Sequence, residues 1–314
     1  MAPALSVCGL SVSLGGRGIV SDVDFAIMPG QVLALLGESG CGKSLTAQAI
    51  ARLLPPSARC EGQVMAGGDE LLALPEQALA TIRGRRIGMI FQDPRASLDP
   101  LMTIGAQLDE VLARHTGLDR RERRIRAIEA LQEVGIRDAE AHLPAYPHEL
   151  SGGMCQRIAM ALAIAPQPEI LIADEPTTAL DVTVQRQILD LLRDLQSKNG
   201  MAVLLITHDM GVVAAAADHV AVMYAGQIVE RAGAADLFDN PRHPYTVALM
   251  AATPPLASRI DRFSSIPGQV PALDAMPEGC RFAGRCDHVH DRCEQPPPMR
   301  GQDHAWRCWL EQAT

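Results

Sequence analysis

No stretch of the chain is long and apolar enough to cross a membrane as a helix. Equalled only by Met1 to Gly16, the longest run without Asp, Glu, Lys or Arg lies between Arg242 and Arg259. It is 16 residues long and contains Pro244, Pro254 and Pro255, whereas a span needs roughly 20 apolar residues. The opening Met1-Ala2-Pro3-Ala4-Leu5-Ser6-Val7 lacks the basic start and apolar centre of a secretory signal. Positive charge is scarce as well: 28 Lys and Arg against 37 Asp and Glu leave a net charge of −9. That argues against unassisted nucleic-acid binding, because phosphates are neutralised by Lys and Arg. No repeat recurs at a fixed period. The chain does have 47% apolar residues over 314 positions, ample for a core and in the range of about two domains. The expectation is a cytosolic chain that meets a membrane only through a partner. Disulfides are rare in that compartment, so the eight cysteines need another use.

Short apolar runs alternate with helical spacing up to about residue 240. Val32 to Leu36, Ile87 to Phe91, Ile170 to Ala173 and Val203 to Ile206 read as buried strands. Helices are expected from Lys43 to Leu54, stopped by Pro55-Pro56, and from Val184 to Leu195. Residues 103–140, rich in Arg and Glu without β-branched runs, read as a helical insert. This alternation implies a parallel sheet covered on both faces. After Phe238 prolines become frequent and large apolar residues few. Such a tail needs a staple, and Cys280, Cys286, Cys293 and Cys308 sit inside it.

Gly37-Glu38-Ser39-Gly40-Cys41-Gly42-Lys43-Ser44 fits G-x-x-x-x-G-K-[ST] between a strand and a helix. Glycines let the backbone wrap a phosphate with its N–H groups inward, and the helix N-terminus adds positive charge. Lys43 is expected to reach the β- and γ-phosphates, and Ser44 Oγ to ligate Mg2+. Asp174 and Glu175 end the strand that begins at Ile170, where open α/β sheets place ligands. Asp174 suits the Mg2+ shell and Glu175 suits polarisation of an attacking water.

Leu150-Ser151-Gly152-Gly153-Met154-Cys155-Gln156-Arg157 precedes a helical run. Alone it reads as a Ser N-cap with two glycines. Between the phosphate loop and the acid pair it resembles the signature of ATP-binding-cassette (ABC) ATPases. The resemblance covers essentially the whole chain. It implies a P-loop α/β fold with an antiparallel β subdomain and a helical subdomain, and it assigns further residues. Gln92 matches the glutamine loop near Mg2+ and the attacking water. Ala179-Leu180-Asp181 matches the D-loop, and His208 the switch histidine at the γ-phosphate. The signature residues Ser151, Gly152, Gly153 and Met154 are implied to contact ATP held by a second ATPase subunit. Relatives commonly stack adenine on an aromatic residue near the position of Leu14, yet no Tyr, Phe or Trp occurs between Met1 and Ser21. The adenine contact is therefore unassigned, with Arg17 as the alternative to an absent stacking residue.

Three segments resemble a narrower group: Tyr146 to Met154, Ala173 to Gln185, and Asn240 to Thr246 leading to Ile266-Pro267-Gly268-Gln269-Val270-Pro271. They are similar to the ATPase subunits of dipeptide/oligopeptide importers, a class that includes nickel and glutathione systems, and to the first of two different ATPases. The resemblance implies a heterodimer on two membrane permeases at the cytoplasmic face of the inner membrane, with an extracytoplasmic substrate-binding protein. The permease contact is expected around Gln92 to Pro100 and the insert. Domain bounds are expected at 1–240, with the helical subdomain about 93–165, and at 241–314. The spacing Cys280-x5-Cys286-x6-Cys293-x14-Cys308 resembles the subfamily's cysteine motif, associated with a 4Fe-4S cluster. Four thiolates also suit Zn2+, but the absence of C-x2-C favours iron–sulfur, with His288, His290 and His304 as substitute ligands and free thiols as the remaining alternative. Cys41 is expected to be sensitive to thiol reagents. The rivals are an importer for nickel or another small solute, a soluble ABC ATPase of a cytosolic complex, and an iron–sulfur sensor with a vestigial ATPase.

Overall fold

The computed structural model describes residues 2–177, 182–252 and 266–311. Its strands are β1 (Leu5–Leu14), β2 (Arg17–Ile27), β3 (Val32–Leu36), β4 (Ala58–Ala66), β5 (Asp69–Glu70), β6 (Ile87–Ile90), β7 (Ile170–Asp174), β8 (Ala202–Thr207), β9 (His219–Tyr224), β10 (Gln227–Gly233), β11 (Met299–Arg300) and β12 (Ala305–Arg307). Its helices are α1 (Lys43–Ile50), α2 (Glu76–Ile82), α3 (Ile104–His115), α4 (Arg120–Glu133), α5 (Ala139–His142), α6 (Gly152–Ile164), α7 (Val182–Asn199), α8 (Met210–Ala216), α9 (Ala234–Asp239) and α10 (Pro244–Ala251). Contacts divide the chain into two compact units. One comprises Met1–Leu5, Ile27–Val32 and Met65–Ile206; the other Ser6–Ala26, Leu33–Val64 and Thr207–Thr314. No described helix is long and apolar enough to cross a membrane.

In the first unit β6, β7 and β8 pair in parallel, with Ile87 opposite Ile170 and Asp174 opposite Ile206. Every residue of β7 and β8 is buried, as expected where both faces of a parallel sheet are covered. The insert is helical because its ends are capped and its few apolar residues fall on one face. Thr103 caps α3 by accepting from Ala106 N–H. Asp119 and Glu122 form a reciprocal capping box on α4. That helix buries only Arg126, Ala127, Ala130 and Leu131. Arg126 pairs with Glu133 at 2.7 and 2.9 Å and donates to the Ala165 carbonyl at 2.9 Å, which ties α4 to the end of α6.

In the second unit β3 runs parallel to β9, and β9, β10, β12 and β11 follow in antiparallel order. A further sheet carries β2, β1 and β4 in that order. The core of this unit joins Leu36, Val222 and Tyr224 to Leu237, Tyr245, Leu249 and Phe282, so residues beyond 240 complete it. Two helix ends differ from expectation. α1 stops at Ile50 because Arg52 turns left-handed (φ 50°) and Leu53 N–H reaches back to Gln48 O at 2.7 Å. α7 runs on to Asn199, where Gly200 (φ 62°) ends it. α10 opens at Pro244, where a fixed φ costs nothing.

Candidate functional site

The phosphate loop lies in the second unit, between β3 and α1. Gly37 admits no side chain: a Cβ there would stand 2.2 Å from Met223 O and 2.8 Å from Cys41 Sγ. Gly42, with φ 104°, takes the left-handed turn into α1. Lys43 is 4% exposed and folds over the loop, its Nζ donating to Gly37 O at 2.8 Å and Glu38 O at 2.9 Å. The β9–β10 turn braces the loop, Gly226 N–H donating to Cys41 O at 2.8 Å. Cys41 is buried, and burial pushes its thiol pKa up against the pull of Lys43. This corrects the expectation of a reagent-sensitive thiol: burial suppresses both access and thiolate.

The acid pair lies in the first unit. Asp174 ends β7 and is 4% exposed; Glu175 follows at 9%. Glu175 takes the left-handed conformation (φ 48°) with its N–H on Ile206 O at 3.0 Å. For a residue with a Cβ that costs of order 1 kcal/mol, and it turns the side chain out of the strand's alternation. Gln92, two residues beyond β6, donates from Nε2 to Glu175 Oε2 at 3.1 Å. Gln92 and Glu175, 83 positions apart, are thus brought together.

Ser151 caps α6, accepting from Met154 N–H at 3.3 Å, and Ser151 and Gly152 are exposed while Gly153 and Met154 are half-buried. His208 follows β8 in the second unit and is exposed, and Asp209 beside it caps α8. The D-loop residues Ala179, Leu180 and Asp181 lie outside the described residues. Leu14 ends β1, and Arg17, which opens β2, is exposed.

Cys280, Cys286, Cys293 and Cys308 line one cavity of about 10 Å³ with Phe282 and His288, space for roughly one water molecule. Burial, opposed by the Phe282 backbone hydrogen bond and aided by Cys293, Cys308 and Cys286, raises the Cys280 thiol to about 11; the Cys286 and Cys308 thiols are raised too, first by burial. Among the described residues no three His, Cys, Asp or Glu side chains stand as ligands around one point. His304 belongs elsewhere, its Nε2 2.7 Å from Glu230 Oε1. His290 lines a separate surface pocket with Pro277 and Val289. Tyr245 and Arg285 bond Glu38 of the phosphate loop; Tyr245 lies in the segment Asn240 to Thr246, but nothing in the sequence ties either residue to that loop.

A glycine phosphate loop after a buried strand, with an acid pair closing another, defines a P-loop ATPase cassette. The comparisons with known proteins narrow this class. The family model described as "ABC transporter" matches residues 20–178, and that of the "Oligopeptide/dipeptide transporter, C-terminal region" matches residues 229–293. The chain belongs to the ABC transporter family and is an ATP-hydrolysing cassette of it. A Brucella abortus relative named as a peptide import ATP-binding protein is 48% identical over 95% of this chain and 91% of its own length. A Brucella melitensis relative of the same name is 46% identical over 99% of both chains. Among solved structures, a dimeric ATP-binding cassette bound to ADP and Pi is 29% identical, with TM-score 0.65 over 73% of this chain and 98% of that one. CbiO1 of Clostridium perfringens, part of an ABC transporter complex, is 27% identical, with TM-score 0.67 over 76% and 92%.

Proposed function

We propose that the chain is the motor subunit of an importer for dipeptides or oligopeptides. The observation that carries this is the match of residues 229–293 to the C-terminal region of oligopeptide/dipeptide transporters. Near full-length relatives named for peptide import support it. Residues 1–240 form the ATPase domain, with the helical subdomain about 93–165, and 241–314 the extension. ATP is held by the backbone N–H groups of Gly37 to Ser44 and by Lys43. Mg2+ bound by Ser44 and Asp174 near Gln92, all hard oxygen donors, supplies charge neutralisation at the phosphates. Glu175 accepts the proton of the water that attacks the γ-phosphorus, and the Gln92 amide keeps its carboxylate aimed. His208 contacts the γ-phosphate, and Asp181 belongs to the D-loop.

Ser151, Gly152, Gly153 and Met154 serve ATP bound by a second, homologous ATPase, and the exposure of Ser151 and Gly152 supports an outward role. Two permeases dock around Gln92 to Pro100 and the helical insert, a stretch flanked by the exposed Phe91 (43%) and Leu101 (85%). The subunit then sits peripherally on the cytoplasmic face of the membrane, and a substrate-binding protein delivers cargo outside. The four tail cysteines hold a 4Fe-4S cluster, with Zn2+ as the alternative. The gathering of the four thiols in one place and their soft donor character support this, and binding displaces the thiol protons. Iron, sulfide and zinc analysis of anaerobically purified protein decides between the two, and absence of all three overturns both.

The transporter reading is tested by pulling the tagged chain from gently solubilised native membranes. Co-purification of two polytopic proteins and a second ATPase is expected. Recovery of soluble proteins alone, with no bait in the membranes, overturns the importer and favours a cytosolic complex.

A further inference from the structure

Glu38 places a carboxylate inside a loop built to hold a polyanion. A bare acid there repels a bound triphosphate, so its surroundings matter. In the second unit its main chain is fixed on both sides: its N–H donates to Tyr245 Oη at 3.0 Å, and its carbonyl accepts from Lys43 Nζ at 2.9 Å. Its carboxylate is gripped by Arg285, with Nη1 on Oε2 at 2.7 Å and Nη2 on Oε1 at 3.1 Å. This two-pronged pairing fixes direction as well as charge. The Arg285 side chain is 5% exposed and that of Glu38 29%.

Arg285 is itself held from behind. Its Nε donates to Pro267 O at 2.8 Å and Nη2 to Ile266 O at 3.3 Å. The rings of Tyr224 and Phe282 lie 5.7 and 6.0 Å from Cζ. Arg285 ends the one-turn helix Ala283–Arg285 and immediately precedes Cys286. That turn is anchored by Ala283 N–H on Cys280 O at 3.0 Å and Cys280 N–H on Cys293 O at 2.8 Å. The cysteine-bearing tail therefore fixes a guanidinium that covers the loop's acid.

We propose that Arg285 is a positioning residue for nucleotide: it cancels and aims the Glu38 carboxylate, so that the C-terminal extension sets the phosphate affinity of the loop. This rests on the reading of that loop as the ATP site.

The test is equilibrium titration of the full chain with ATP and with ADP, for wild type, R285A, R285K, E38Q and the E38Q/R285A double variant. A coupling of ordinary size predicts that R285A binds ATP about 10-fold more weakly, with a smaller loss for ADP, which carries less charge. R285K, keeping a cation, regains part of the loss. E38Q/R285A returns to near the E38Q value because the unpaired acid is gone. A merely structural ion pair predicts the opposite, since the double variant lacks the pair as fully as R285A does. ATP affinity of R285A equal to wild type, or a double variant as weak as R285A, overturns the proposal. If R285A melts below the assay temperature, R285Q with and without E38Q gives the same comparison. Wild type that binds no ATP overturns the underlying reading of the loop instead.

Discussion

Glu175 and Cys41 separate what a residue's type announces from what its surroundings decide. The position of Glu175 behind a buried strand is the reason it is proposed as the base. E175Q is expected to bind ATP as well as wild type while steady-state hydrolysis falls at least about 100-fold; undiminished phosphate release would remove Glu175 from that role. Its left-handed backbone (φ 48°) and its hydrogen bond to Gln92 were not legible, because neither follows from local sequence. Cys41 looked exposed to chemistry because the loop is. In the fold it is 1% exposed and its thiol is shifted upward by burial. Its thiolate fraction is therefore depressed at neutral pH and grows only above the ordinary thiol range. Iodoacetamide at pH 7.5 is expected to label exposed Cys8 at least about 10-fold faster than Cys41, read by peptide mass spectrometry; equal rates would refute the burial argument.

At the scale of elements, the apolar parallel strands β3, β6, β7 and β8 were the most legible, whereas the longer, half-exposed β1 and β2 were not read. Val32–Leu36 and Ile170–Asp174 are buried along their whole length, so unbroken apolar runs announced them. Helix ends were less so, since Arg52 and Gly200 stop α1 and α7 by adopting positive φ, which side-chain periodicity does not record. α10 went unread because its cap is a histidine: His243 Nδ1 accepts from Tyr245 N–H at 3.0 Å, a role usually taken by Ser, Thr, Asp or Asn. Burial lowers the pKa of His243 to about 3 from 6.5, while a hydrogen bond to the Arg307 backbone pulls it upward. The unfolded chain takes up this proton below pH 6.5 and the folded chain does not. Stability is therefore lost as pH falls from 6.5 toward 3, by at most about 1.4 kcal/mol per pH unit. Urea unfolding at pH 7 and pH 5 should show the decline. H243N keeps an acceptor for the cap without titrating and should flatten it; an equally steep decline in H243N would assign the effect elsewhere.

For the whole molecule, the shift to proline after Phe238 suggested an appendage, yet the second unit buries Tyr245 (0% exposed) and Phe282 (2%) against Tyr224. Composition could not reveal this, because contacts between residues far apart leave no local trace. A chain ended at Asn240 loses both rings from that core. Each large aromatic removed from a core costs about 3–5 kcal/mol, comparable to the whole stability of a domain. The truncated chain is expected to melt far below the full chain or to be recovered insoluble, and a matching melting temperature would show the extension to be dispensable for folding. The pairing of Glu38 with Arg285, 247 positions apart, carries a consequence for descent. Losing the acid strands a buried cation, and losing the cation strands an acid beside phosphate. If the pair acts as proposed, neither changes alone without loss, so the two positions are expected to vary together among relatives. A chimaera that joins this cassette to a foreign tail starts mismatched unless position 38 is exchanged with it.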